Sequence, residues 1–360
     1  MIHIILGTKA QLIKMAPVMR ALLAAGLEYR LITTGQHRET MEDIYANFGI
    51  RTPDYSLYDG ADITSIPAMI IWSARISWHV FRNKRAVFGG APRGVVLVHG
   101  DTFSTLLGTL IGRFVGLKVG HVESGLRSFN LFHPFPEELI RIATIRLSDI
   151  LYCPGTWAVA NVSGTTAQVV NTGSNTLVES LQLALLATSV VAVDAPTKPF
   201  AIVSIHRVEN IYSEKRLRRI VEIVLKAAEE HFLLFVLHKP TEQKLKAFGL
   251  YDRIASNENI ELRPRYDYVR FISLVRQARF VISDGGSNQE ECHYLGKPVL
   301  LLREATERQE GLGTNCVLSH YDPSSVARFL SQWRDLIQPP SLPITPPSQC
   351  IVEHLRQINV

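Results

Sequence analysis

The chain has 360 residues, 46% hydrophobic and 20% charged, with a formal net charge of +5. That leaves room for two domains of ordinary globular composition, and no apolar run reaches membrane-spanning length, since the longest, from Leu177 to Val193, is broken by Glu179, Gln182, Thr188 and Ser189. The basic residues are scattered, without a nucleic-acid-binding signature, and Cys153, Cys292, Cys316 and Cys350 lack metal-ligand spacing, which fits a reducing cytoplasm.

The chain opens on a strand-like apolar run with no secretory signal ahead of it. Strands are predicted at Ile2–Leu6, Tyr29–Thr33, Val95–His99, Lys118–Val122, Ile150–Cys153 and Gln168–Asn171, with helical patterns such as Ile13–Ala25 and Thr102–Val115 between them. Within the first series, residues 66–85 combine Trp72 and Trp78 with Arg75, Arg82, Lys84 and Arg85. Such a segment reads as a core or subunit-contact helix with a solvated basic end, or as a peripheral contact with a membrane surface.

Asp194-Ala195-Pro196-Thr197-Lys198-Pro199 is a polar connector, after which the pattern restarts. Strands are predicted at Ala201–Ile205, Leu233–Leu237, Ile260–Leu262, Phe280–Ser283 and Pro298–Leu302, with helices at Lys215–Glu230 and Asn288–Leu295. Two βα series predict an α/β protein of two doubly wound, Rossmann-like domains, residues 1–175 and 196–337. A tail, 338–360, is expected to pack back on the first domain. Facing strand ends would enclose one cleft, a usual place for a nucleotide-type ligand.

Carboxylates gather where strands end. Asp101 follows Val95–His99, Glu123 follows Lys118–Val122, and Glu137 and Glu138 open the helix after Pro134-Phe135-Pro136. A lone Asp after a strand is often a helix N-cap, but several carboxylates with His and Arg beside them suggest proton transfer. In the second half, Asp284-Gly285-Gly286-Ser287 reads as a turn where a phosphate can approach the backbone at a helix start. Glu290 or Glu291 one turn further on could accept the hydroxyls of a ribose. His206 and Arg207, at the end of the first strand there, suit proton exchange and phosphate pairing.

Eight ordered blocks carry a resemblance. They are Gly7–Pro17, Thr34–Glu39, His99–Thr102, Gly120–Arg127, Pro136–Glu138, His206–Asn210, Asp284–Glu291 and Thr306–Arg308, and they resemble the motifs of the UDP-N-acetylglucosamine 2-epimerase family over nearly the whole chain. The resemblance implies a two-domain fold of the GT-B type. It also implies removal of the C2 proton of a UDP-N-acetylhexosamine as UDP leaves C1. The glycal is then re-protonated from the other face with UDP re-addition, or hydrolysed to the free sugar.

By the same resemblance, Asp101, Glu123 and Glu137 are the acid/base carboxylates and His206 the histidine near the leaving diphosphate. Lys9, Lys14, Gln36, His37, Arg127, Arg207, Gly285, Gly286, Ser287, Glu291 and Arg308 fall on substrate-binding positions. No cofactor or metal is called for, the partners expected are a UDP-sugar and a second copy of the chain, and the product would feed surface polysaccharide synthesis. The family's Gly-Thr-Arg-Pro-Glu is here Gly7-Thr8-Lys9-Ala10-Gln11, which exchanges a forked guanidinium for a point charge and a carboxylate for an amide. Its usual Asp-Ser-Gly-Gly turn is here Asp284-Gly285-Gly286-Ser287. A glycosyltransferase using the same fold and a lipid-linked acceptor is the alternative, but it has no need of proton exchange at C2.

Overall fold

The computed structural model describes residues 1–360 apart from 37–40, 64–65, 91–92, 132–135, 189–191, 344 and 359–360. It divides into two compact units, residues 1–180 with 343–360, and residues 181–342.

The first unit is built on a seven-stranded parallel sheet. Its strands are β1 (Ile2–Leu6), β2 (Tyr29–Thr33), β3 (Tyr55–Ser56), β4 (Val95–His99), β5 (Lys118–Val122), β6 (Ile150–Cys153) and β7 (Gln168–Asn171). They lie in the order β3-β2-β1-β4-β5-β6-β7. The second unit holds β8 (Phe200–Ser204), β9 (Phe232–Leu237), β10 (Ile260–Pro264), β11 (Val281–Ser283), β12 (Val299–Leu301) and β13 (Cys316–Leu318), in the order β10-β9-β8-β11-β12-β13. Central strands such as β1, β4 and β8 are buried along their whole length, because helices cover both faces of a parallel sheet. Each sheet reverses its strand order once, between β1 and β4 and between β8 and β11. Loops leaving the carboxyl ends of such a strand pair splay apart and leave a crevice.

Two short edge strands, β3 and β13, escape sequence reading: with two and three residues they show no periodicity. The first helix begins at Lys9, not Ile13. Thr8 caps it through the Gln11 N–H, and the Gln11 side chain returns to the Thr8 N–H, so the Gly-Thr-Lys-Ala-Gln motif is a helix start. Pro17 sits inside this Lys9–Ala24 helix and has no N–H to offer the Ile13 carbonyl. The Ser180 hydroxyl donates to that carbonyl instead, at 2.6 Å.

The division between the units falls inside the Leu177–Ala187 helix, ahead of the expected connector. Residues 194–199 are not a free linker, because Val193 and Ala195 pack on the second core and Asp194 pairs with Arg263 at 2.9 Å. Residues 338–342 also stay with the second unit, where the Gln338 N–H reaches the Gly296 carbonyl and the Ser341 N–H the Tyr294 carbonyl. The final helix, Pro347–Gln357, belongs to the first unit. There Tyr152 bonds His354 at 2.9 Å, Glu179 accepts from Ser348, and Arg356 caps the carboxyl end of the first helix at the Ala25 carbonyl.

In the helix Ile66–Phe88, Trp72 is core: it is 1% exposed and its indole N–H donates to the Thr34 carbonyl at 3.0 Å. Trp78 is turned outward and 60% exposed. It stacks on Phe81, which meets Phe114 of the Phe103–Val115 helix, so two neighbouring helices share an apolar outer face with Arg82 over the Trp78 ring. Among the described residues no helix is long and apolar enough to cross a membrane.

Candidate active site

At the β1/β4 switch point the chain makes two tight turns that are stitched together. Gly7 leaves β1, and a Cβ there would fall 1.9 Å from Ser104 Oγ, so no other residue fits. Gln11 Oε1 accepts from the Gly7 N–H, while its Nε2 donates to the His99 carbonyl at 2.7 Å and to Thr105 Oγ1 at 2.9 Å. A carboxylate could accept at that position but not donate, so the amide ties the β1 turn to the β4 turn. Gln36, read as a nucleotide contact, is buried, and its Oε1 accepts from Ser104 N and Oγ at the start of the Phe103–Val115 helix. His37 lies outside the described residues.

Asp101 is not the cap of that helix; Thr102 is, in a capping box with Thr105. The Asp101 carboxylate is instead paired with Arg141 Nη2 at 2.5 Å and is 27% exposed, whereas Arg141 is 5% exposed. Arg141 also reaches Glu138 at 3.3 Å, and Glu138 accepts from Arg127 Nε at 2.6 Å and the Ser128 N–H at 3.0 Å. Burial acts to raise the Glu138 pKa, but the hydrogen bonds from Arg127 and Ser128 outweigh it and hold the carboxyl below its usual range. Glu138 is therefore a brace for two arginines. Its signal in the sequence was the Arg three residues on, one helical turn away. Glu137 is half-buried as the first residue of the Glu137–Leu147 helix.

Glu123 ends β5 with a left-handed backbone, φ 62°, a conformation that a non-glycine residue holds only when its surroundings demand it. They do so through its side chain. Lys14 Nζ pairs with Oε2 at 2.5 Å, Asn175 Nδ2 donates to the same oxygen, and His99 Nε2 lies 3.5 Å from it. Burial pushes His99 down to about 3 and His121 down to about 4, so both rings are neutral. His121 Nε2 donates to the Gly100 carbonyl at 2.7 Å and so fixes the turn that carries Asp101. Lys9 points to Asp43 of the Glu42–Phe48 helix, at 2.7 Å.

The second switch point is organised by the residue that opens the Asp-Gly-Gly-Ser turn. Asp284, fully buried after β11, accepts from the His206 N–H at 3.0 Å, the Arg207 N–H at 3.0 Å and Asn210 Nδ2 at 2.9 Å. It thereby clamps the loop after β8 against the end of β11. The His206 ring is 39% exposed and stacks on His238, with centroids 4.7 Å apart. Burial, and then the neighbouring His206 and Arg265, push His238 down to about 3, and burial lowers the His206 pKa as well. His238 follows β9 as the N-cap residue of the Lys239–Ala247 helix, and a single His at a strand end carries no pattern that marks it in the sequence. The Arg207 side chain turns to Glu209, at 2.8 Å.

The helix Gly286–Tyr294 starts two residues earlier than expected and has no side-chain cap, so its first turn, Gly286-Ser287-Asn288, presents backbone N–H groups of the kind that bind anions. Gly285 and Gly286 are needed for close approach rather than for unusual dihedrals. A Cβ on Gly285 would come 3.0 Å from the His206 ring, and one on Gly286 2.8 Å from Arg308 Nε. Arg308 is buried and paired with Glu290 at 2.6 Å. Glu291, buried at 2% exposure, accepts from Asn288 Nδ2 at 2.9 Å. Tyr268 lies against Glu291, and burial followed by that carboxylate raises the phenol pKa well above its ordinary value.

The geometry can be set beside known proteins. The family model for UDP-N-acetylglucosamine 2-epimerase matches residues 20–339. A UDP-N-acetylglucosamine 2-epimerase of Methanococcus maripaludis is 32% identical over 343 residues, covering 90% of this chain and 89% of the relative. Among solved structures, the Methanocaldococcus jannaschii UDP-GlcNAc 2-epimerase in complex with UDP-GlcNAc and UDP aligns with a TM-score of 0.83 at 26% identity, covering 99% of each chain. The Neisseria meningitidis enzyme bound to UDP-GlcNAc aligns with a TM-score of 0.84 at 26% identity, again over 99% of each. With its two parallel sheets, its switch-point carboxylates and this likeness over nearly its whole length, the chain belongs to the UDP-N-acetylglucosamine 2-epimerase family of sugar-nucleotide isomerases.

Proposed function

We propose that this protein inverts C2 of a UDP-N-acetylhexosamine, with UDP-N-acetylglucosamine the first substrate to test. The observation that carries the reading is the pair of carboxylates at the ends of adjacent strands, each held by its own cation: Asp101 by Arg141 and Glu123 by Lys14. A carboxylate takes the proton from C2 while the C1–O bond breaks, the electron pair forms the C1–C2 double bond, and UDP leaves. Asp101, the more exposed of the two, and Glu137 are the groups we assign to proton transfer on opposite faces of C2; Glu123, paired with Lys14, is assigned to stabilising the electron-poor sugar. Return of a proton to the other face and attack of the UDP oxygen on C1 complete the inversion.

The uncapped start of the Gly286–Tyr294 helix and the His206 ring are assigned to the diphosphate, whose oxygens the backbone N–H groups and the imidazole can meet as hydrogen-bond donors. Glu291 and Arg308 are assigned to the nucleoside end. We further propose a cytoplasmic homodimer supplying surface polysaccharide precursors, its subunits meeting on the apolar outer face formed by Ile70, Ile71, Trp78, Phe81, Leu110 and Phe114. Association of the chain with anionic vesicles as a monomer would instead favour membrane contact through residues 66–85. The glycosyltransferase reading is the weaker one, because it leaves the paired carboxylates without a task.

The test is incubation with UDP-N-acetylglucosamine in D2O, with NMR at C2. Deuterium at C2 with an equilibrating epimer pair supports reversible inversion, and deuterium with free sugar and UDP supports the hydrolysing branch. No label at C2 with any UDP-N-acetylhexosamine would remove the proposal.

A further inference from the structure

We propose that Asn175 is a positioning residue for Glu123, setting which of the two carboxylate oxygens faces the turn that carries Asp101. Asn175 lies 52 residues from Glu123, in the turn between β7 and the Leu177–Ala187 helix, outside every motif that the sequence reading assigned. It is 2% exposed. Its Oδ1 accepts from the Leu177 N–H at 3.2 Å, which fixes the amide so that Nδ2 points at Glu123.

Lys14, Asn175 and His99 all approach Oε2 of Glu123, from three different segments of the chain. Oε1 lies near Gly100, where an added Cβ would come to 4.0 Å from it. Lys14 supplies the opposite charge, but a single mobile ammonium does not define the carboxylate plane. A second donor of fixed direction does. Asn is suited to this because it donates without adding a charge, and it caps the following helix with its other end. The consequence is that Oε1, and not Oε2, is the oxygen held at the reacting side. The proposal rests on Glu123 acting in the proposed C2 chemistry.

The test exploits the two ends of the amide. Asn175→Asp keeps the shape and the cap, since Asp caps helices as well as Asn does, but turns a donor at Glu123 into a second carboxylate. In full-length protein we expect kcat for C2 exchange to fall about 100-fold at pH 8 with UDP affinity within about twofold, and the ratio to wild type to recover about tenfold toward pH 5.5, where the two carboxyls can share a proton. A variant with wild-type kcat across that range would assign Asn175 to the cap alone, and a loss constant with pH would also overturn the proposal. Should Asn175→Asp not fold by circular dichroism, Asn175→Ser decides: it caps but cannot reach Glu123. Lower kcat with UDP affinity kept supports the positioning role, and unchanged kcat overturns it. Wild-type exchange in the same assay separates this outcome from failure of the epimerase reading, which would remove both.

Discussion

Beside the β1/β4 switch point, at the ends of β4 and β5, each carboxylate is met by a cation from a different helix: Arg141 reaches Asp101, and Lys14 reaches Glu123. At the β8/β11 switch point the central carboxylate, Asp284, is met chiefly by backbone N–H groups, those of His206 and Arg207, with the Asn210 amide added. The same sheet topology thus carries two kinds of construction. Side-chain ion pairs place charge where a proton can come and go, and their partners can shift as charge develops in a substrate. Backbone held by a buried carboxylate is stiff, and stiffness is what an anion cradle made of N–H groups requires. Chemistry and binding should therefore separate between the units, and mutations can break or sharpen that division.

The largest effect is expected from Lys14→Met. Both members of the Lys14–Glu123 pair are about 5% exposed, and removing one partner leaves the other charge buried. We expect a loss of about 3–5 kcal/mol in urea unfolding, with turnover lost as well. A loss under about 1 kcal/mol would mean that Glu123 finds another partner or takes up a proton.

Next comes the direct comparison of Asp101→Asn with Asp284→Asn. The first should cost about 100-fold or more in kcat while calorimetry finds UDP bound nearly as before. The second removes an acceptor from the clamp on the His206 loop and should weaken UDP binding by about 1–2 kcal/mol, with a smaller change in kcat. Equal loss of UDP affinity in both variants would dissolve the division of labour.

A smaller effect concerns pH. His99 and His121 are held by burial down to about 3 and about 4, well below the ordinary value of 6.5. The unfolded chain binds protons there from about pH 6.5 downward and the folded one does not, so their contribution to stability is full above pH 6.5 and is lost as pH falls toward 4. Denaturant midpoints at pH 7.5 and 5 should differ in wild type, and the difference should shrink in His121→Asn. An unchanged difference would place the acid sensitivity elsewhere.

The smallest effect is expected from Lys9→Ala. Lys9 is directed at the partly exposed Asp43, a pair of modest worth. If that is its main contact, UDP affinity should change by less than about 0.5 kcal/mol. A loss of about 1.5–3 kcal/mol would return Lys9 to the diphosphate, the role that the family resemblance implies.

The sequence by itself carried the βα rhythm and the place of the ligand face. Parallel strands covered on both sides are written as short continuous apolar runs, and those runs stop at Gly7, Gly100, Glu123, His206 and Asp284, the residues of the switch points. Element edges were less legible, because a helix start such as Lys9 depends on a capping box that periodicity does not register. Tertiary structure alone decided the partners. Asn175 at Glu123, Asp284 under the His206 loop and Ser180 on the carbonyl freed by Pro17 each join residues 52 to 167 positions apart. Local pattern reports which face of an element is apolar. Which donor meets which acceptor across the ends of different strands depends on strand order and register, and those arise only when the sheet is assembled.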